Sequence, residues 1–172
     1  LQVDDKIVFS LLLARLSNEL ARSDPDSAFP LAKEGLKLAK QIHYLKGELA
    51  STVSLAIAWA NKGDYSAAIR LLLSNLKHVD ASNDTRLKWT FYFELSNVYR
   101  DQGDYAEALK YANTIISLTE DVMQRFPQTP GYNCRTAYSL LASTYLENHQ
   151  LDSAKKYIDA ALSYPPVPAL KG

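Results

Sequence analysis

The chain is 172 residues long, 47% hydrophobic and 22% charged, and its 19 basic residues balance 19 acidic ones. That composition excludes intrinsic disorder and supplies enough apolar side chain for one sizeable interior. The zero net charge gives no electrostatic reason to expect a nucleic acid or an anionic membrane as partner, and a lone cysteine excludes an internal disulfide or a multi-cysteine metal site.

Apolar residues at three- and four-residue spacing predict eight helices. The first covers residues 4–21 and ends at the turn Asp24-Pro25-Asp26. The second starts near Asp26 and runs to residue 42, because Pro30 fits only a first helical turn. The third, 45–62, carries the stripe Leu49, Val53, Ala56, Trp59 and Ala60. Gly63 then provides a helix end in left-handed backbone, and Asp64 caps the fourth helix, 64–79, with Ala68, Ile69, Leu72, Leu73 and Leu76 on one side. Asn83 or Asp84 caps the fifth, 84–101. Gly103-Asp104 repeats the turn before the sixth, 104–125, with Glu107 placed as a capping-box partner. Phe126-Pro127-Gln128-Thr129-Pro130-Gly131 reads as a loop with a helix restart near Pro130, giving a seventh helix over 130–148 and an eighth over 151–163. The proline-rich stretch at 165–172 reads as a linker. No apolar run reaches the roughly 20 residues that cross a bilayer. A chain that starts at Leu1 is expected to be a segment of a longer protein.

The helices repeat in pairs. The segment from Trp59 to Ile69 aligns with Tyr99 to Leu109, and Gly63 and Gly103 lie 40 residues apart. Tyr145 to Lys155 is a third copy and the stretch ending at Ala28-Phe29 a fainter one. Helices joined by so short a turn form antiparallel hairpins. Small residues fall where their axes would cross: Ala56 against Ala68, Ser96 against Ala108, Ala142 against Ala154. Trp59, Tyr99 and Tyr145 fill one equivalent place per copy and are expected to build the interior.

Chemistry is not visible in the pattern. His43, His78 and His149 share no helix face, and no phosphate loop, nucleophile elbow or metalloprotease motif occurs. Glu94, Asp101 and Glu147 lie on first helices of repeats, where a groove wall or a salt bridge explains them. Cys134 reads as a small packed hydrophobe. The expectation is a non-enzyme with no catalytic residues, no cofactor and no metal.

The recurring pattern resembles the tetratricopeptide repeat (TPR) family: Leu55-Ala56, Trp59, Gly63-Asp64-Tyr65, Ala68, and again Leu95-Ser96, Tyr99, Gly103-Asp104-Tyr105, Ala108. The fourth copy keeps Leu141-Ala142, Tyr145, Ala154 and Ala161 but has His149-Gln150-Leu151 at its turn, and the first keeps Leu16-Ser17, Leu20 and Ala28. The resemblance implies an all-α fold, a right-handed α-α superhelix (TPR-like solenoid) of about four helix hairpins. Its domain is 1–164, with repeats near 5–43, 44–82, 84–126 and 130–163. Repeats of about 40 residues, longer than the family's usual 34, look like those of bacterial sensor kinases and transcription regulators. The implied function is a protein- or peptide-binding module, the input or assembly region of a larger bacterial signalling or transcription regulator. The alternative is a structural homodimerisation scaffold.

In that family, first helices line a concave face. Projected onto this sequence it comprises Arg15, Asn18 and Arg22 from the first repeat, and Val53, Ser54, Ile57 and Asn61 from the second. The third supplies Thr90, Phe93, Glu94, Asn97 and Arg100, and the fourth Ser139, Ser143 and Glu147. Asn18 and Asn97 match asparagines of the family's carboxylate clamp, but Ile57 and Ser143 replace the others and Val53 and Phe93 replace cations, so the clamp is incomplete. The partner is expected to be a protein or peptide, with a homodimer through the C-terminal repeat as a second option. Neither nucleic-acid binding nor membrane insertion is expected of this segment. The sequence leaves the compartment open between the cytoplasm and, if this is the sensor region of a membrane-bound regulator, the periplasm.

Overall fold

The computed structural model describes residues 2–125 and 134–164. Among the described residues there are eight α-helices and no strand: α1 (Val3–Ala21), α2 (Pro25–Gln41), α3 (Leu45–Asn61), α4 (Tyr65–Ala81), α5 (Thr85–Gln102), α6 (Tyr105–Arg125), α7 (Cys134–Glu147) and α8 (Leu151–Leu162). The loop expected at 126–131, the helix restart at Pro130 and the linker at 165–172 lie outside the described residues.

Helix boundaries follow the capping chemistry. α2 begins at Pro25, a residue earlier than the sequence suggests, because Asp24 caps it: its carboxylate accepts the Ser27 N–H at 3.1 Å. Hydrogen bonds from Ser27 hold that carboxyl below the usual Asp range. Pro25 takes the first position, where a missing N–H costs nothing. Pro30 therefore sits inside the helix, beyond its first turn, which corrects the expectation. It is exposed, so water can serve the carbonyl that its ring deprives of a partner. Asp64, Asp84 and Asp104 cap α4, α5 and α6 through the N–H groups of Ala67 (2.9 Å), Leu87 (3.0 Å) and Glu107 (3.2 Å). The Glu107 side chain does not complete a capping box; it pairs with Lys110 at 2.9 Å.

Four turns share one hydrogen-bond scheme. In the α3–α4 turn the Gly63 N–H donates to Ala60 O and the Asp64 N–H to Trp59 O. Gly103, His43 and His149 head the same pair of bonds in their turns. This is the Schellman ending, which needs a left-handed residue. Gly63 and Gly103 have φ of 81° and 89°, while His43 and His149 are forced to 53° and 57°. The α1–α2 turn is tighter: the Asp24 N–H reaches Leu20 O, four residues back instead of five.

Packing groups the chain into two compact units, Leu1–Val98 and Tyr99–Gly172, divided within α5. In the first, α1 packs on α2 and α3, and α3 on α4. Leu49, Leu72, Phe91 and Leu95 are fully buried, as are the small residues Ala28, Ala56 and Ala68. At the α1–α2 crossing the Ser17 hydroxyl donates to Ala28 O at 2.8 Å, so the axes meet at a side chain short enough to touch backbone. The stacking of first helices is pinned the same way: Ser54 Oγ donates to Ala14 O and Asn61 Nδ2 to Ala21 O, both at 2.8 Å and both across 40 residues. Gly35 lets α2 approach its neighbours; a Cβ there would lie 2.9 Å from Ser51 Oγ and 3.3 Å from Ser10 O.

In the second unit, α7 packs on α6 and α8 around Ile115, Ala137 and Leu141, with Ala108 and Ala154 buried. The repeat aromatics act as half-buried ring-on-ring contacts. Tyr99 stacks on Tyr111 at 5.8 Å and Tyr145 on Tyr157 at 5.4 Å. In the first unit Trp59 meets Phe29 edge-on at 4.7 Å. Burial pushes the Tyr99 and Tyr145 hydroxyls above the usual tyrosine range.

The turn geometry predicts opposite signs for two substitutions. Gly63→Ala meets no neighbouring atom, so its loss of about 1 kcal/mol will come from left-handed backbone alone. His149→Gly relieves the same strain and should gain stability of a similar size, at most about 1 kcal/mol. Urea unfolding of both variants beside the parent measures the pair.

Candidate functional site

Within the first unit, α1, α3 and α5 border a groove of about 290 Å³. Helical spacing builds it. Leu11, Ala14, Arg15 and Asn18 recur along one side of α1, Ala50, Val53 and Ser54 along α3, and Leu87 and Thr90 along α5. Leu11, Ala14, Ala50, Val53 and Leu87 make an apolar lining, and Arg15, Asn18, Lys46, Asp84 and Arg86 supply the polar groups.

The charges are unevenly matched. Lys46 Nζ donates to Asp84 Oδ2 at 2.8 Å, while Asp84 Oδ1 is occupied by the Leu87 N–H. The hydrogen bond from Lys46 is the main reason the Asp84 carboxyl lies below its usual range, outweighing partial burial, and it raises the Lys46 ammonium in turn. Arg86 works against that rise by like-charge repulsion. Arg15 and Arg86 are exposed and make no ion pair among the described residues.

The residues projected as a concave face fall in several settings. Arg15, Asn18, Val53, Ser54 and Thr90 line the groove. Arg22 and Glu94 face each other at 3.4 Å, tying α1 to α5, with Glu94 only 7% exposed. Ile57 is 3% exposed and belongs to the interior. Asn61 spends an amide hydrogen on Ala21 O. Phe93 stacks on Trp89 with centroids 4.9 Å apart, and Asn97 is half-buried. In the second unit the structure gathers three expected residues: Arg100 reaches Glu147 at 3.3 Å and Ser143 Oγ at 3.2 Å, besides Asp101 at 3.0 Å. Ser139 is exposed on α7.

Sequence reasoning missed Lys46, Asp84, Arg86, Leu11 and Leu87, which sit nearer the helix starts. A signal existed for two of them: Lys6, Lys46 and Arg86 recur at the repeat length. Asp84 was read only as a cap, and its second oxygen is the one that faces Lys46.

No cluster of His, Cys, Asp and Glu able to hold a metal occurs among the described residues, and no described helix is long and apolar enough to cross a membrane. Cys134 is buried beside the Met123 thioether, and burial pushes its thiol up, away from the reactive thiolate. His43 and His149 are exposed turn residues. Tyr138 donates to Glu120 at 3.0 Å, and burial with that bond raises its hydroxyl strongly.

Helix hairpins repeating at 40 to 46 residues, crossed at small side chains and mostly closed by left-handed turns, define a tetratricopeptide-repeat domain. The family described as the SusR N-terminal TPR domain matches residues 10–168, and the chain belongs to it. Domains of this class are protein-interaction modules and generally non-catalytic. No curated protein matches the chain.

The Lys46–Asp84 pair has a pH signature. A carboxyl depressed in the folded state contributes stability above the ordinary Asp value of about 3.9 and loses it as pH falls through its lower folded value. Asp84→Asn keeps a capping oxygen and removes the charge. The variant should be less stable than the parent at neutral pH, and the gap should close on acidification below about pH 4. Thermal unfolding of both proteins across that range checks it.

Proposed function

We propose that this chain is a non-enzymatic protein- or peptide-binding module whose docking site includes the α1–α3–α5 groove, with Phe93 and Asn97 of α5 extending it. Its wider role is the input or assembly region of a larger bacterial signalling or transcription regulator. The observation that carries the binding reading is the groove itself: an apolar lining beside Arg15, Asn18 and Arg86, whose side chains have no hydrogen-bond or ion-pair partner among the described residues. Such a surface suits an extended or helical peptide, whose apolar side chain is buried while its backbone or charges meet the rim. The family description supports the modular part of that role alone, since it names a domain of this kind at the N-terminus of another protein.

Thr90 is half-buried at the groove wall, and among the described residues its hydroxyl bonds only to Arg86 O one turn back, so Thr90→Trp fills the groove without breaking a hydrogen bond to another helix. Peptides selected on the parent from a random display library should bind this variant at least about tenfold more weakly, with helicity unchanged by circular dichroism. Equal binding would refute docking in the groove.

A homodimerisation scaffold is the second reading. On α8, Leu151, Ile158 and Leu162 are 65%, 44% and 61% exposed, an apolar surface of the kind that marks an interface. Light scattering from nanomolar to micromolar concentration tests it: a mass that doubles in the parent but not in Leu162→Asp supports the scaffold, and a constant monomer mass rejects it.

A further inference from the structure

We infer that the groove of the first unit selects an acidic peptide, one in which carboxylates flank an apolar side chain, and that Arg15 and Arg86 are the groups that read the carboxylates. The inference rests on the groove being a docking site and adds the chemistry of its partner.

The case is one of charge complementarity. Three cations, Arg15, Lys46 and Arg86, border the groove, against one carboxylate, Asp84. That carboxylate is already consumed, one oxygen by Lys46 at 2.8 Å and the other by the Leu87 N–H at 3.0 Å. Two guanidinium groups are left without an anion among the described residues, in a chain whose total charge is zero. The positive field is therefore local and is set against an apolar lining, which strengthens it relative to open solvent. Arg86 also repels Lys46, a cost that an incoming anion removes.

Arginine suits this task better than lysine would. Its planar group offers parallel N–H donors that match both oxygens of a carboxylate, and it gives up hydration more readily. The lining decides the rest. Leu11, Ala50, Val53 and Leu87 offer the volume of one large apolar side chain, so an isolated anion would leave that surface unused. Asn18 presents an amide with both donors and an acceptor at the same rim, suited to a peptide bond. A basic peptide would place its charge against three cations. A neutral one would strip water from two guanidinium groups without replacing it.

The test uses the whole chain and two labelled synthetic peptides that share a Leu-Phe centre, one flanked by glutamates and the other by lysines, followed by fluorescence anisotropy. The parent should prefer the glutamate peptide by at least about tenfold, and the preference should shrink as salt rises from about 0.05 to about 0.5 M. Arg15→Glu with Arg86→Glu should invert the preference in favour of the lysine peptide; both side chains are exposed, and circular dichroism verifies the fold. A lysine preference in the parent, or a glutamate preference that survives the double reversal, overturns the inference. A single-stranded DNA oligonucleotide that binds more tightly than the glutamate peptide also overturns it, by assigning the cations to a polyanion. Binding that Thr90→Trp abolishes but that ignores peptide charge would refute only the acidic chemistry. Binding that Thr90→Trp leaves intact would refute the groove reading beneath it.

Discussion

Close approach of two backbones is the constraint on which this structure depends. A short helix hairpin hides its apolar sides only if the axes nearly touch, and that requires almost no side chain at the crossing. Ala28, Ala56, Ala68 and Ala108 meet that requirement with complete burial. Ser17 meets it with a hydroxyl that bonds directly to Ala28 O, which converts a tight contact into a directional one. Once the crossing is tight, the turn must be tight as well. The Schellman endings at Gly63 and Gly103 supply that without strain, and at His43 and His149 the protein tolerates strain to keep it.

The stacking of hairpins in the first unit follows from the same economy of space. Ser54 and Asn61 reach back one repeat to backbone carbonyls of α1, so α1 and α3 are locked in a register equal to the repeat length. Lys46 and Asp84 then fasten the start of α5 to α3, and Arg22 and Glu94 fasten α5 to α1. These bonds hold the walls of the groove, and they consume polar groups as they do so. Arg15, Asn18 and Arg86 remain unspent among the described residues, which is why binding is argued from them and not from Asn61 or Glu94.

Helix hairpins were legible because their signals are local. Apolar spacing, Asp64 and Asp104 at caps, Gly63 and Gly103 at helix ends and alanines at fixed phase each depend on a few neighbouring residues, and they agree with one another. The miss at Pro30 has a local cause too: the cap chemistry of Asp24 and Pro25 outweighed the cost of a proline beyond the first turn. The groove was legible only in part. Phase alone placed Ile57, Asn61 and Glu94 with Arg15 and Asn18, yet phase cannot say which polar groups find partners.

What the sequence determined by itself is the repeat: the helices, their turns and their buried small residues, because those choices are made within a few residues of chain. What only the tertiary structure decided is which of the outward-facing groups pair with one another and which stay unpaired among the described residues. Lys46 and Asp84 are 38 residues apart, and Arg22 and Glu94 are 72 apart. Their pairing depends on how hairpins stack, and that stacking leaves the cations of Arg15 and Arg86 uncompensated among the described residues, beside an apolar groove.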